Sequence, residues 1–253
     1  MPETKSYEVI AENVAAVKEN MRQAALAAGR NPEEITLVAA TKVQTSETIR
    51  NAIKAGITVC GENRVQELVA HLEDNAYEGA KVHFIGHLQT NKVKFVVGKV
   101  DMIESIDSLR LMDAVEKQAA KVDVIQDILL EVNIGDEESK GGAAIDEVMA
   151  LATHAMECPH LRLRGIMCIP PAASTDEENR GFFKETYHFD EIKELQCYID
   201  NSGEASIDDG NLLLILKSGR KVDFGTTGEQ QTQEIIALLT PILFETGSLS
   251  AQK

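Results

Sequence analysis

Lys42 closes the apolar, β-branched run ITLVAAT that begins at Ile35, and a primary amine at the end of a dry strand can do chemistry. An ammonium set against an apolar wall loses hydration, which favours the neutral amine, the form that attacks an aldehyde. The first solvated residue after any strand would occupy the same place. Other polar or polarisable residues recur at equivalent points. Asn63 ends Gly61-Glu62-Asn63, where its amide can orient a Schiff base or a hydroxyl, or simply cap the next helix. His87 follows Phe84-Ile85-Gly86, within hydrogen-bonding reach of a ring or as a polar cap on a rim. Glu131 and Asn133 close another apolar run. Met167, in Arg164-Gly165-Ile166-Met167-Cys168, offers a thioether on which a flat ring can lie, or which fills a core.

Several tempting groups carry less. Lys92, after Asn91, reads as a solvated lysine. Glu138-Ser139-Lys140-Gly141-Gly142 is a charged, glycine-ended loop without the GxxxxGK[ST] frame of a phosphate loop. His83 and His87 are four apart but flank a strand-like segment, which removes the shared helical face a metal pair needs. Cys60, Cys158, Cys168 and Cys197 show no CxxC spacing and read as free thiols.

The elements that must position these residues alternate regularly. Helical periodicity over Tyr7–Arg30 ends at Gly29. Strands then run over Ile35–Ala40, Ile57–Cys60, Val82–Ile85, Met102-Ile103, Asp127–Ile134 and Leu161–Ile169. Helices follow the first five at Ser46–Ala55, Arg64–His71, Thr90–Val97, Ser108–Lys121 and Ala144–Met156. Such alternation calls for a parallel α/β sheet wrapped by helices, in units whose length suits a (β/α)8 TIM-barrel-like fold. Ligands gather at the carboxyl ends of such strands. The strands centred on Val38, Val59, Phe84, Met102, Leu130 and Ile166 are therefore expected to be neighbours in that order.

The segments ATKVQTSETIRNAIKAGITVCGENRVQEL, HFIGHLQTNKVK and LRLRGIMCIPP resemble, in order and spacing, the pyridoxal-phosphate-binding homeostasis proteins, relatives of the alanine racemase amino-terminal barrel. The resemblance runs to about Pro171. It implies a barrel, a Schiff base from Lys42 to pyridoxal 5'-phosphate, cofactor contacts from Asn63, His87 and Met167, and a role in buffering or delivering the cofactor, with apo pyridoxal-phosphate enzymes as recipients. The chain is then expected to be one barrel domain over 1–253 with a divergent tail over 201–253.

The tail departs from that pattern. Relatives hold the phosphate with a Ser-Met-Gly-Met-Ser strand end and a Val-Arg-x-Gly-Thr strand. The first is absent, and Gly225-Thr226 after Arg220 is a faint echo of the second. Lineage divergence and a late disturbance of the reading frame would both give this pattern, and the barrel is expected to be atypical or incomplete there. Residues Asn179–Ile199 read as a helix, Leu212–Leu216 and Lys221–Phe224 as a hairpin, and Gln230–Thr246 as an amphipathic helix interrupted by Pro241.

Composition narrows the alternatives. The 253 residues carry a net charge of −16, which repels nucleic acid and anionic membrane over most of the surface. No apolar run approaches membrane-spanning length and no signal peptide opens the sequence, so a cytoplasmic setting is expected. An amino-acid racemase is the competing reading. Racemisation wants a second base opposite the lysine, which the racemases supply as a tyrosine from a partner's β domain. Tyr7, Tyr77, Tyr187 and Tyr198 fall in predicted helices or their ends. A protein that has lost cofactor binding with its tail is a third reading.

Overall fold

The computed structural model describes residues 4–134 and 141–169 in full, and beyond them the backbone of three strands. The chain divides into two compact units, Met1–Ile169 and Pro170–Lys253. The division falls between Ile169 and Pro170.

The first unit alternates as expected. Helix α1 (Tyr7–Ala27) precedes β1 (Val38–Ala40), α2 (Ser46–Lys54), β2 (Val59–Glu62), α3 (Val65–Glu73), β3 (Lys81–Phe84), β4 (Met102–Ile106), α4 (Leu109–Val122), β5 (Gln126–Val132), α5 (Val148–Glu157) and β6 (Leu161–Cys168). The segment after β3 is a 3₁₀ turn over Thr90–Phe95, tighter than the α-helix anticipated. The six strands form one parallel sheet in chain order, as the pattern required. Register runs Val38 to Val59, Cys60 to Val82, Phe84 to Ile103 and Ile128 to Leu163.

Alternation in β5 shows how the sheet divides its faces. Ile128, Leu130 and Val132 are buried, while Asp127, Leu129 and Glu131 are half-buried on the opposite face. The buried face joins Cys60, Phe84, Ile103 and Ile106 to Leu68, Leu111, Met112 and Val115 of the helices in one core. The other face carries ion pairs. His83 Nδ1 lies 2.6 Å from Glu104 Oε1, and Arg162 Nε donates to Asp127 Oδ1 at 2.6 Å.

The second unit holds an antiparallel sheet of β7 (Ile192–Ile199), β8 (Asp209–Leu216) and β9 (Lys221–Gly228), in that order. The β8–β9 hairpin was anticipated, although both strands run longer than expected. The helix expected over Asn179–Ile199 is corrected: Ile192–Ile199 is a strand paired with β8. Its sequence carries apolar residues at 195, 197 and 199, a period of two, and pairing with the leucine-rich β8 decides the matter. The helix expected over Gln230–Thr246 lies outside the described residues.

Candidate functional site at the carboxyl rim

Parallel pairing sends the carboxyl ends of β1 to β6 to one rim. It therefore brings Lys42, Asn63, His87, Glu131 and Met167 to the same end of the sheet. Lys42 sits in the turn that follows β1, with an exposed side chain. The apolar wall suggested for it by Ile35–Thr41 does not enclose it, because β1 is only three residues long and Thr41 alone of the turn is buried. The turn is bonded on both sides of the lysine. The Thr41 amide donates to the Gly61 carbonyl at 2.9 Å and the Gln44 amide to the Thr41 carbonyl at 3.2 Å. The Val43 amide donates to Glu67 Oε2 at 2.9 Å.

Val43 has φ 59°, a left-handed conformation that crowds a β-branched side chain. Such strain costs about 1–3 kcal/mol and gathers at functional turns. Its side chain is 57% exposed and packs little. Val43→Asn should therefore raise stability by about 1 kcal/mol, since Asn tolerates the left-handed region. A denaturant midpoint no higher than that of the unsubstituted chain would contradict this.

Asn63 follows β2 but does not cap α3; the capping position is Arg64, without a side-chain bond. Asn63 Oδ1 is buried and has no hydrogen-bond partner among the described residues. Against it lies Gly86, the turn residue after β3. A Cβ on Gly86 would stand 2.2 Å from the Asn63 carbonyl oxygen and 2.6 Å from its Cα, so the two strand ends touch backbone to backbone. Gly86→Ala is expected to cost about 3 kcal/mol or more, because rigid backbone must move to admit the methyl. A loss under about 1 kcal/mol in urea unfolding would show that the rim yields there.

His87 is mostly exposed, with Nδ1 3.5 Å from Asp107 Oδ2 after β4. Glu131 faces the same region. Burial, and then the Asp107 carboxylate, raise its pKa above the ordinary carboxylate range, while His87 opposes the shift. Glu131 registers against Met167 in the adjacent strand, which places the two on one face. The loop after β5 returns to the rim: the Ala143 amide donates to the Glu131 carbonyl at 2.8 Å, and Asn133 to Ala143 at 2.9 Å. Lys92 lines a surface groove with Val69 and Phe95. Gly225 and Thr226 fall inside β9 of the second unit, where Thr226 registers against Asn211.

Sequence reasoning missed a buried polar cluster on the helix-facing side of β2. Glu62 is fully buried, and its Oε1 accepts from Thr41 Oγ1 at 2.7 Å and from the Tyr77 hydroxyl at 2.7 Å, with His71 Nδ1 at 2.9 Å. Burial, and then the bond to Glu62, hold the Tyr77 phenol well above its ordinary pKa, so it remains a donor. The only sequence signal was an acid ending the otherwise apolar Val59-Cys60-Gly61-Glu62 strand.

The profile of the alanine racemase N-terminal domain family matches residues 13–204. The pyridoxal phosphate homeostasis protein of Aquifex aeolicus is 39% identical over 174 residues, covering 69% of this chain and 76% of that protein. Its namesake from Escherichia coli K12 is 40% identical over 168 residues, covering 65% and 72%. The structure of PipY from Synechococcus elongatus, solved with PLP bound, superimposes with a TM-score of 0.60 at 27% identity, covering 70% of this chain and 78% of PipY. With its parallel βα units, its TIM-barrel-like topology and these matches, the chain belongs to the pyridoxal phosphate homeostasis protein family, built on the alanine racemase N-terminal domain.

Proposed function

We propose that this protein binds pyridoxal 5'-phosphate covalently through Lys42 and acts as a carrier or buffer of the cofactor, without catalytic turnover. The observation that carries the reading is the exposed Lys42 amine, on a turn bonded on both sides, at the rim where Asn63 Oδ1 is buried without a partner among the described residues. An orphaned acceptor there fits a ligand that brings a hydroxyl or protonated nitrogen. When bound, the cofactor supplies an aldehyde open to a primary amine and a ring that withdraws electrons. Lys42 would hold it, Asn63 would orient its polar edge, His87 would hydrogen-bond at its margin, and Met167 would lie against its face. An open rim and an exposed lysine suit reversible loading and hand-over to apo-enzymes that use the same cofactor.

Turnover on both faces of a substrate wants a second base. Among the described residues, Tyr77 is buried and bonded to Glu62, and Tyr7 begins α1 with its ring under Lys54 Nζ of α2, 4.7 Å from the ring centroid. Neither is free at the rim, which favours binding over racemisation. The test is an absorbance band near about 420 nm on loading with the cofactor, followed by borohydride reduction and peptide mapping. Mapping of the label to any other lysine would refute the reading. Cα proton exchange of amino acids at enzymatic rates would replace the carrier by an enzyme.

A further inference from the structure

We propose that Glu62, His71 and Tyr77 form a buried positioning cluster that sets the Lys42 turn for covalent attachment of the cofactor. This rests on the reading of Lys42 as the anchor.

The cluster reaches the turn at points that bracket the lysine without touching it. Thr41 Oγ1, one residue before Lys42, meets Glu62 Oε1 at 2.7 Å and the Gly61 carbonyl at 3.1 Å. The carbonyl of Gln44, two residues after, faces His71 Nε2 at 3.2 Å. His71 Nδ1 in turn faces Glu62 Oε1 at 2.9 Å and lies 3.2 Å from the Tyr77 hydroxyl. The Tyr77 ring meets the imidazole edge to face, with centroids 5.8 Å apart. One carboxylate oxygen thus gathers three side chains from the turn after β1, from α3 and from the turn after α3. Through Thr41 and His71 it ties down both flanks of Lys42. From α3 the exposed face adds a separate tie, Glu67 to the Val43 amide.

Two features separate positioning from packing. A buried acid is costly, and an apolar side chain of similar size would fill the space between β2 and α3 without that cost. The turn it holds also includes Val43 in the left-handed region, a conformation the chain would leave if released. The cluster keeps the lysine at one place on the rim while its Nζ stays in solvent, where an incoming aldehyde can reach it.

The experiment compares Thr41→Val, which removes the hydroxyl at nearly constant shape, with Thr41→Ser, which keeps it, and adds Glu62→Gln and Tyr77→Phe. Two readouts are taken on the full chain: amide hydrogen exchange at Val43 and Gln44 in the cofactor-free protein, and the rate at which added pyridoxal 5'-phosphate becomes borohydride-trappable at Lys42. Thr41→Val and Glu62→Gln are each expected to speed exchange and slow trapping by about tenfold, the effect of one lost buried hydrogen bond. Tyr77→Phe should follow in the same direction, and Thr41→Ser should recover both rates. Exchange in β4 and β5 should stay as it was, which a general loss of stability would not allow. If Glu62→Gln fails to fold, the Thr41 pair decides. Trapping at Lys42 in the unsubstituted chain together with unchanged rates in Thr41→Val would overturn the positioning role alone. Absence of trapping at Lys42 in the unsubstituted chain would overturn the anchor reading, and this inference with it.

Discussion

Lys42→Ala is expected to lose borohydride-trappable cofactor by at least about a hundredfold, because among the described residues no other lysine directly follows the carboxyl end of one of β1 to β6. The side chain is exposed and the turn is held by Thr41, Val43 and Gln44, so the substitution should leave folding unchanged. Lys42→Arg should fail equally: it keeps the charge, but a guanidinium stays protonated at any accessible pH and offers no free amine. The measurement is the molar ratio of reduced, covalently retained cofactor to protein after gel filtration under denaturing conditions. Full occupancy in Lys42→Ala would remove the lysine from the mechanism and leave the rim as a non-covalent site at most.

The second large effect concerns the phosphate. Pyridoxal 5'-phosphate is expected to bind this protein no more than about tenfold tighter than pyridoxal. A phosphate dianion in a barrel is normally gripped by several backbone amides at loops and helix ends, each bond worth roughly 1.5–3 kcal/mol. The segment Ser-Met-Gly-Met-Ser that would present them is missing from the sequence. Of the candidates that remain, Ser218-Gly219 lies outside the described residues, and Gly225-Thr226-Thr227-Gly228 lies within β9, where pairing with β8 occupies the strand rather than leaving a loop to cradle an anion. Loss of most of the grip should cost two or more powers of ten in affinity, at about 1.4 kcal/mol per tenfold. Parallel titrations with the two aldehydes would decide. A preference above about a hundredfold for the phosphorylated form would reveal a grip supplied from elsewhere in the chain.

The first unit was legible because its signals are local. The run Ile35–Ala40, the Thr45 cap before α2 and the Ser108 cap before α4 each announce an element within a few residues. Repeated six times with helices between, such runs leave little choice but a parallel sheet. The strand-end residues followed from the same logic, since parallel pairing puts all carboxyl ends together. The Glu62 cluster did not, because its members meet only when the outer face of β2 packs on α3, and nothing about Glu62, His71 and Tyr77 in sequence requires that they share one oxygen. The strand at Ile192–Ile199 was missed for a different reason. Lys193-Glu194-Leu195-Gln196 scores well as helix by propensity, and the partner strand that overrides it lies ten residues further on.

The order of β1 to β6 in the sheet is also their order along the chain. Each of β2 to β6 finds its first partner in the strand synthesised just before it, and none has to wait for a distant one. Val38 pairs with Val59, and Val59 with Lys81, so each closure spans one strand–helix unit and carries a modest loop entropy. Assembly can proceed from the amino terminus as the chain emerges from the ribosome. By the time Val132 is free, β2, β3 and β4 have a strand on each side, and the Lys42 turn has the ties that hold it.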